Sequence, residues 1–300
     1  MNQWFPKRKL SPGFAALPAE GPGDPFVYKL FHGLFARYVL NYTGKLEGFA
    51  NPAARKEGSA VRVDVLGVAF DNVTLDEAVD RAMALLEQDG PHMAATPNPE
   101  IVQCAQKDAE LSAILAEADL VLPDGIGVIH AARILGRPLK GRVPGIDFAT
   151  ALMGRMAETG KRLFLLGAAP GVAEQAAANL QAAHPGLVVC GTHDGYFKED
   201  GPVLRQIQGA RADVVFVCLG FPRQEKWIAA HGAQTGARLL IGLGGSLDVF
   251  AGRVERAPEQ FQKLGLEWLY RLAKQPARIG RMFKLPLFPL SAAVARVRGK

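Results

Sequence analysis

The sequence predicts an α/β protein built on a mostly parallel, Rossmann-like sheet with helices on both faces. Between residues 61 and 251, short apolar runs alternate with amphipathic patterns of helical period. The apolar runs are nearly continuous, which is typical of strands buried on both faces of a parallel sheet. Most of them end in a polar or glycine-containing turn directly before a helical pattern begins, as in βαβ units. This region is therefore predicted to be the α/β core.

Residues 1–60 are predicted to form an extension that precedes the core. Residues 1–25 are rich in Pro and Gly and are expected to be irregular, and residues 44–60 resemble a linker. Between them, residues 26–40 read FVYKLFHGLFARYVL, a strongly amphipathic helical pattern. Such a helix can pack on the protein's own core, which is the commoner arrangement, or lie in a membrane interface.

The core is predicted to open with one strand and one helix. The strand is VRVDVLGVAF at residues 61–70, and the helix is TLDEAVDRAMALLEQDG at residues 74–90. Thr74 is the expected N-cap, and Gly90 marks the expected end of the helix.

Two further strand-to-helix units, within residues 92–136, are predicted to carry the active site. The first strand, HMAAT, ends at Thr96, and the second, ADLVLP, is followed by Asp124. In open α/β sheets, ligands bind outside the carboxyl ends of the strands. We therefore expect Thr96, Asn98 and Asp124 to share one crevice.

Asn98 and Asp124 also have a purely structural interpretation, which the sequence leaves open. Asn98 precedes Pro99 and could be an N-cap with proline at the first helical position. Asp124 likewise precedes a helix and could be only a cap. Gly125 and Gly127 favour a functional role for Asp124, because the absence of side chains there would let a ligand approach closely.

The rest of the core continues the alternation of strands and helices. Helices are predicted at residues 147–160, 169–184, 200–209 and 223–234, and strands at residues 162–168, 187–193, 213–220 and 238–244.

Two turns in this region contain further candidate residues. Residues 167–171, GAAPG, could present backbone N–H groups to a phosphate, although an ordinary tight turn explains them better. Residues 242–248 add Asp248 beside a glycine-rich bend, where it could simply cap a turn.

A third turn, GFPRQEKW, places Arg223, Gln224 and Lys226 in the first turn of a helix. Cations oppose the helix dipole at that position. Their presence is therefore mildly unfavourable unless they bind an anion or pair with Glu225.

The tail, residues 252–300, differs from the core in charge. It carries a net +8, whereas residues 61–251 carry −6 and residues 1–60 carry +4. Four basic residues of the tail fall on one side of a predicted helix, beside an apolar stripe: Arg271, Lys274, Arg278 and Arg281. Pro276 should kink or divide that helix. Because like charges on one face repel, a phosphate or an anionic membrane surface explains them better than solvent does.

The composition disfavours several other classes of protein. Three cysteines without a CxxC pair indicate a reducing compartment, and no apolar run reaches the roughly 18 residues that span a bilayer. The protein is therefore expected to be cytoplasmic. No nucleic-acid partner is expected, because no nucleic-acid-binding motif is recognisable. A dinucleotide oxidoreductase is disfavoured, since no GxGxxG follows the first strand with an acidic residue about 20 positions later.

Five blocks of the sequence together resemble one family. They are T-x-N at 96–98, PDGIGVIHAARILGRPLKGRVPGID at 123–147, GFPRQEKW at 220–227, GGSLDVFAGRVERAPE at 244–259 and LGLEWLYRL at 264–272. In this order they resemble the WecG/TagA/CpsF glycosyltransferases. The resemblance runs from about residue 61 to about residue 284, and it leaves residues 1–60 and the last fifteen or so outside.

The resemblance implies a transferase that moves N-acetylmannosamine from UDP-ManNAc to undecaprenyl-diphosphate-linked GlcNAc, in teichoic acid or surface polysaccharide biosynthesis. Members of the family are expected to form homo-oligomers and to attach peripherally to the inner face of the cell membrane through the tail. Two alternatives remain open. One is a related transferase that uses another UDP-hexose or a UDP-uronic acid, and the other is a non-catalytic membrane-associated protein that binds a nucleotide-sugar.

The resemblance also implies roles for individual residues. Asp124 is expected to be the catalytic base, and Thr96 an active-site polar contact. Asn98, Gln224 and Asp248 are expected around the nucleotide-sugar. The tail arginines that are expected to close over the pocket and bind the diphosphate are Arg271, Arg278 and Arg281.

The implied reaction needs one base and a charge partner for the leaving group. A carboxylate that takes the proton of the attacking hydroxyl is worth roughly 10²–10⁴-fold in rate, and a single base suffices for direct displacement with inversion. Many nucleotide-sugar enzymes neutralise the departing diphosphate with a metal on an Asp-x-Asp pair, which this sequence lacks. Guanidinium groups can supply the same charge. The reaction is therefore predicted to need neither a metal nor another cofactor.

Overall fold

The computed structural model describes residues 62–263, 265–274 and 287–298. Its strands are β1 (Arg62–Val65), β2 (Val68–Asp71), β3 (His92–Ala95), β4 (Leu120–Val121), β5 (Arg162–Gly167), β6 (Val188–His193), β7 (Val214–Cys218) and β8 (Leu239–Gly242).

The helices of the same residues surround these strands. They are α1 (Leu75–Leu85), α2 (Pro99–Ala105), α3 (Ala109–Glu117), α4 (Ile126–Ile134), α5 (Gly145–Thr159), α6 (Val172–Ala183), α7 (Asp200–Ala210), α8 (Arg223–Thr235), α9 (Ser246–Phe250), α10 (Glu259–Lys263), α11 (Glu267–Lys274) and α12 (Phe288–Val297).

Six strands form the central sheet in the order β4-β3-β8-β7-β5-β6, and every neighbouring pair is parallel. Successive side chains of β7 point to opposite faces, so Phe216 packs among α1, α5 and α6, whereas Val215 packs among α7 and α8. The helices α2, α3, α4 and α12 cover the β3–β4 end of that second face. The predicted class, a Rossmann-like parallel sheet with helices on both faces, is confirmed.

The adjacent strands β3 and β8 form a switch point of the sheet, because the connections that follow them lie on opposite faces. After β3 the chain enters α2 on one face of the sheet, whereas after β8 it enters α9, which packs against α6 on the other face. The two connections therefore lie on opposite faces of the sheet beyond the carboxyl ends of these adjacent strands. Such switch points are where open α/β sheets bind ligands.

The segment predicted as one strand over residues 61–70 is instead a β-hairpin. β1 and β2 pair antiparallel, and they form their own two-stranded sheet. Leu66 and Gly67 form the connecting turn with φ of 56° and 92°. Positive φ at both central residues is what a two-residue hairpin turn of type I′ requires, and Gly67 adopts it without strain.

The first helix of the core begins where the sequence predicts and ends earlier. The Thr74 side chain accepts a hydrogen bond from the Glu77 N–H, and the Glu77 carboxylate accepts one from the Thr74 N–H. This reciprocal capping confirms Thr74 as the N-cap. The helix ends at Leu85 rather than at Gly90, because Leu86 is the last buried side chain and residues 87–90 are exposed.

Part of the tail lies within the described residues. α11 ends at Lys274, and α12 packs alongside α4 in a parallel direction. Phe288 lies next to Gly127 at the start of α4, and Arg296 donates a 2.6 Å hydrogen bond to the Ile134 carbonyl oxygen at its end. The predicted helix over residues 26–40, together with Arg278 and Arg281, lies outside the described residues.

Candidate active site

The three residues predicted to share a crevice lie side by side at the switch point. The parallel pairing of β3 and β4 continues beyond the strands themselves. The Leu122 N–H donates to the Ala95 carbonyl oxygen at 2.8 Å, and the Asp124 N–H donates to the Pro97 carbonyl oxygen at 3.3 Å. Asp124 therefore stands directly beside the residues 96–98.

Asp124 is held at the N-terminus of α5. Its Oδ2 accepts a hydrogen bond of 3.4 Å from the N–H of Gly145, the first residue of that helix. The Val143 N–H donates to the Pro123 carbonyl oxygen at 2.9 Å and ties the preceding loop to the same place. Unpaired N–H groups and the helix dipole both favour negative charge at a helix N-terminus. The Asp124 carboxylate is half-buried and lies at a position that suits an anionic group.

Thr96 joins three elements around this carboxylate. Its hydroxyl donates a 2.9 Å hydrogen bond to the Gly242 carbonyl oxygen at the end of β8. It also packs on Gly145, where an added Cβ would lie 3.0 Å from the Thr96 Oγ1 and 3.1 Å from its Cγ2. Because a hydroxyl has one hydrogen to donate, Thr96 could meet a ligand only as an acceptor while this bond is made.

Asn98 has the capping role that its sequence context allows. Its Oδ1 accepts hydrogen bonds from the N–H groups of Glu100 and Ile101 at 2.9 and 3.0 Å, and Pro99 occupies the first position of α2. A contact between Asn98 and a ligand would therefore come from its amide nitrogen.

Gly125 and Gly127 do not leave the open space that the sequence suggested. A Cβ on Gly125 would lie 3.2 Å from the Pro99 Cδ, and one on Gly127 would lie 2.7 Å from the Pro99 Cγ. Both glycines therefore allow the first turn of α2 to pack against the first turn of α4. Gly125 is also required for its φ of 88°, a conformation that side-chain-bearing residues rarely adopt.

Gln224 connects the start of α8 with the turn after β8. Its Oε1 accepts a 2.9 Å hydrogen bond from the Gly244 N–H, and its Nε2 donates to the Glu225 Oε1 at 2.8 Å. Only 2% of Gln224 is exposed. In this structure the side chain holds the site's loops together from beneath the surface.

Glu225 is an almost completely buried carboxylic acid next to these loops. Its Oε2 has no hydrogen-bond partner among the described residues. Burial raises the pKa of Glu225, and the hydrogen bond from Gln224 only partly offsets that effect. The sequence did not single out this residue beyond its possible pairing with the neighbouring cations.

The cations at the start of α8 have other partners than Glu225. The Lys226 Nζ lies 3.0 Å from Asp108 Oδ2 and 2.6 Å from Glu110 Oε2, at the N-terminus of α3. Arg223 lies over the ring of Phe197 and donates a 2.8 Å hydrogen bond to a neighbouring backbone carbonyl. The pairing of these cations with Glu225 is therefore wrong, and the binding of an anionic ligand by them stays a prediction.

Asp248 lies on the same edge of the sheet, in α9, and is half-buried. It stands close to the Cys218 thiol at the end of β7. Burial raises the pKa of that thiol to about 12, and the nearby Asp248 carboxylate adds to the increase. Cys218 is consequently a neutral packing residue. Asp248 is an acidic side chain at this edge of the sheet that could contact a ligand.

The turn at residues 167–171 connects β5 to α6, and its Ala168 is bonded to the neighbouring chain segments. The Ala168 N–H donates to the Cys218 carbonyl oxygen at 3.2 Å, and the Ala168 carbonyl oxygen accepts from the Gly195 N–H at 2.8 Å. The N–H and carbonyl groups of Ala168 are thus used within the protein, and phosphate binding by the rest of this turn stays a prediction.

Four charged side chains that the sequence did not single out form an ion-pair bridge beside Asp124. They are Arg142, Asp147, Arg256 and Glu267. Arg142 Nη1 lies 2.6 Å from Glu267 Oε2, and Arg256 Nε lies 3.5 Å from Glu267 Oε1. Arg256 Nη2 lies 2.6 Å from Asp147 Oδ1. All four occur in the blocks that carry the family resemblance, but sequence spacing does not indicate which of them pair.

Arg271, the third candidate of the tail, lies in α11, one turn after Glu267.

In the described parts of the chain, no three His, Cys, Asp or Glu residues are grouped so that they could hold a metal ion. Independence of a metal stays a prediction that a chelation experiment must test.

The fold is that of a Rossmann-like α/β protein, and its candidate ligand site lies at the carboxyl ends of β3 and β8. Residues 63–300 match the sequence model of the glycosyl transferase WecG/TagA/CpsF family. The chain belongs to this family. The match extends to the last residue, so the expectation that the final fifteen or so residues fall outside the family is wrong.

Curated relatives from two genera share most of the chain. One is an N-acetylglucosaminyldiphosphoundecaprenol N-acetyl-beta-D-mannosaminyltransferase of Bacillus spizizenii, 39% identical over 203 residues, which cover 68% of this chain and 79% of that protein. A protein of the same name from Staphylococcus aureus strain MRSA252 is 36% identical over 244 residues, which cover 80% of this chain and 96% of that protein.

Proposed function

We propose that the protein is an inverting glycosyltransferase that moves N-acetylmannosamine from UDP-ManNAc to undecaprenyl-diphosphate-linked GlcNAc, in teichoic acid or surface polysaccharide biosynthesis. The names of the relatives support the donor sugar and the lipid-linked acceptor. The observation that carries the proposal is Asp124, a carboxylate oriented by the N-terminus of α5 at the switch point of the sheet.

In the proposed reaction Asp124 acts as the general base. The acceptor hydroxyl transfers its proton to the Asp124 carboxylate while its oxygen attacks the anomeric carbon of the donor. The bond from that carbon to the UDP oxygen breaks, and its electron pair leaves with the diphosphate. One carboxylate is sufficient for this displacement, which inverts the anomeric configuration.

In this proposal four other residues line or support the same edge of the sheet: Thr96, Asn98, Gln224 and Asp248. Thr96 and Gln224 act mainly by holding the turn after β8, because their hydrogen bonds to residues 242–244 are internal. Asn98 can reach the donor with its amide nitrogen, and Asp248 offers an acceptor to hydroxyl groups of the nucleotide-sugar.

We propose that the arginines of the tail bind the departing diphosphate and neutralise its charge. Arg271 lies in α11, whose first residue, Glu267, is linked to the start of α5 through the ion-pair bridge. Arg278 and Arg281 follow it in the sequence at helical spacing. Guanidinium groups bind phosphate oxygens in a bidentate manner and stabilise the charge that develops as the bond breaks.

We further propose a peripheral contact with the inner face of the cell membrane through α12. No helix in the described part of the chain is long and apolar enough to cross a bilayer. α12 and the residue before it expose apolar side chains opposite the buried face of the helix: Leu287 (55%), Leu290 (61%), Val294 (47%) and Val297 (88%). Two exposed arginines, Arg296 and Arg298, lie at its end. An apolar stripe with basic neighbours is the pattern of interfacial helices.

We also propose that the protein forms a homo-oligomer, without assigning the number of subunits. Light scattering coupled to size-exclusion chromatography would measure the mass, and a purely monomeric protein at micromolar concentration in detergent would contradict it.

The first test of the function is the release of UDP from UDP-ManNAc in detergent micelles with a short polyprenyl-diphosphate-GlcNAc acceptor. Acceptor-dependent release by the wild type is expected to fall by about 100-fold or more in Asp124→Asn, because the amide cannot take the proton. Asp89→Asn is the matched control, since Asp89 is an exposed carboxylate just before β3.

The outcomes of this test separate the alternatives. Release from another UDP-hexose or a UDP-uronic acid, but not from UDP-ManNAc, would favour the related transferase. UDP binding without turnover from any donor, and unaffected by Asp124→Asn, would favour the non-catalytic nucleotide-sugar-binding protein.

A further inference from the structure

The ion-pair bridge connects the start of the tail to the element that holds Asp124. Asp147 lies in the first turn of α5, two residues after Gly145, whose N–H binds Asp124. Glu267 is the first residue of α11. Arg256, between them, forms an ion pair with each of these carboxylates. A chain of contacts thus runs from the base through α5 to α11.

The bridge is more constrained than ordinary surface ion pairs. The exposed fractions of its side chains are 18% for Arg142, 15% for Glu267, 28% for Arg256 and 30% for Asp147. Each oxygen of Glu267 faces a different guanidinium group. Arg142 also donates a 3.1 Å hydrogen bond to the Gln262 carbonyl oxygen at the end of α10. Charged groups with several partners in one place fix a geometry, whereas single exposed pairs contribute little.

The two carboxylates of the bridge are also placed where helix dipoles stabilise them. Asp147 and Glu267 each lie in the first turn of a helix, α5 and α11. The guanidinium group of Arg256 therefore joins the N-termini of two helices. This fixes the direction in which α11 leaves the core, and with it the position of residue 271 one helical turn later.

We infer that Glu267 is a positioning residue for the transfer reaction: with Arg142 and Arg256 it fixes the start of α11 against the start of α5. The inference rests on the proposed function, because it concerns how the tail is presented to the same crevice. Glu267 acts through the helix that it anchors and does not touch the reacting atoms.

The experiment compares Glu267→Gln in the full-length protein with the wild type. Gln has nearly the same size and keeps one acceptor oxygen, but it loses the charge that holds both guanidinium groups. We expect kcat per folded molecule to fall about tenfold or more, since small misplacements near a reacting centre have effects of that order. Arg256→Gln and the double variant should lose no more than the single variants together, because residues that act as one unit give non-additive losses.

A matched control comes from another ion pair of α5. Arg155 Nη1 lies 2.9 Å from Asp80 Oδ1, and both side chains are largely exposed. Arg155→Gln should leave kcat within about twofold of the wild type, because isolated surface pairs contribute little. A kcat for Glu267→Gln that is no lower than that of Arg155→Gln would overturn the inference. So would a loss that is fully explained by a smaller folded fraction in circular dichroism.

A second measurement is independent of turnover. Hydrogen exchange of the amides in α11 should become at least about tenfold faster in Glu267→Gln, while exchange in the central strands stays unchanged. Unchanged exchange in α11 would refute the anchoring role. If the wild type releases no UDP, the proposed function fails on its own, and the exchange result still decides whether Glu267 anchors α11.

Discussion

Gly145 lies between Thr96 and the proposed base, Asp124, and it sets the distance between them. The Gly145 N–H donates a hydrogen bond to the Asp124 carboxylate, and the Thr96 side chain packs against the Gly145 Cα. Hydrogen bonds from Thr96 and Gln224 hold the turn after β8 from two sides. Substitutions at these residues should act on the geometry of the site before they act on any contact with substrate.

Gly145→Ala tests this spacing. A Cβ there would lie 3.0 to 3.2 Å from three atoms of Thr96, so either Thr96 or the start of α5 must move. We expect kcat to fall by about tenfold or more, because the N–H that orients Asp124 moves with the helix. Gly154→Ala is the control on the same helix, as nothing lies within 4 Å of its added Cβ.

The control should keep full activity and gain up to about 1 kcal/mol in stability, since Ala is the better helix former. Equal activity of the two variants in the UDP-release assay would show that the contact between Gly145 and Thr96 does not matter for the reaction.

Glu225 predicts a specific dependence of stability on pH. Burial raises the pKa of its carboxyl group in the folded protein. Above a pH of about 4.3, the ordinary pKa of Glu, the unfolded chain has lost this proton while the folded protein retains it. Stability therefore falls as pH rises from that value through the folded pKa. Glu225→Gln cannot titrate, so the wild type should lose stability relative to this variant over the same range.

Urea unfolding at a series of pH values measures the difference between the two proteins. Glu225→Ala serves as the control, because it removes the acceptor of the Gln224 amide and should cost about 1–3 kcal/mol. A constant difference between the wild type and Glu225→Gln from pH 4 to pH 8 would mean that this carboxyl group titrates normally.

The alternation of strands and helices was predictable between residues 92 and 244, whereas the opening hairpin and the helices α9, α10 and α12 were not. Buried parallel strands such as β7 leave a continuous apolar signal, and the polar turn after each strand identified Thr96 and Asp124 as neighbours. In the hairpin, the four-residue strands differ little from one longer strand. The turn depends on Leu66 adopting a positive φ, and a leucine in the sequence does not predict that conformation.

The partners of charged residues could not be read from spacing. Arg142 and Glu267 are 125 residues apart, and Lys226 binds acids of α3 that are more than 110 residues away. Pairing at such separations is decided by the packing of helices on the sheet, which local patterns do not encode. The same holds for the glycines beside Asp124, whose purpose is visible only once Pro99 is in place.

The apolar stripe of α12 leads to a prediction about membrane binding. Leu290→Ser combined with Val297→Ser removes two exposed apolar side chains and changes no charge. Fully burying each such side chain is worth about 1.5–3 kcal/mol, so partial insertion of both should change vesicle binding by about tenfold or more. Co-sedimentation with vesicles containing anionic lipid measures this binding.

Ala293→Ser is the matched control, because Ala293 is exposed on α12 but off the stripe. It should bind vesicles as the wild type does, and turnover of a water-soluble acceptor analogue should be unchanged in both variants. Equal vesicle binding by the stripe variant and the control would remove α12 from the membrane contact.

The uneven charge of the whole chain bears on how the leaving group is neutralised. The tail carries +8 and the core −6, and the core contains no Asp-x-Asp pair. In the proposed reaction, guanidinium groups of the tail neutralise the departing diphosphate, and no carboxylate pair holds a cation for that purpose. We expect turnover to stay within about twofold of its initial value in excess EDTA. Loss of turnover in EDTA, with recovery on addition of Mg²⁺ or Mn²⁺, would instead assign the leaving-group charge to a metal ion.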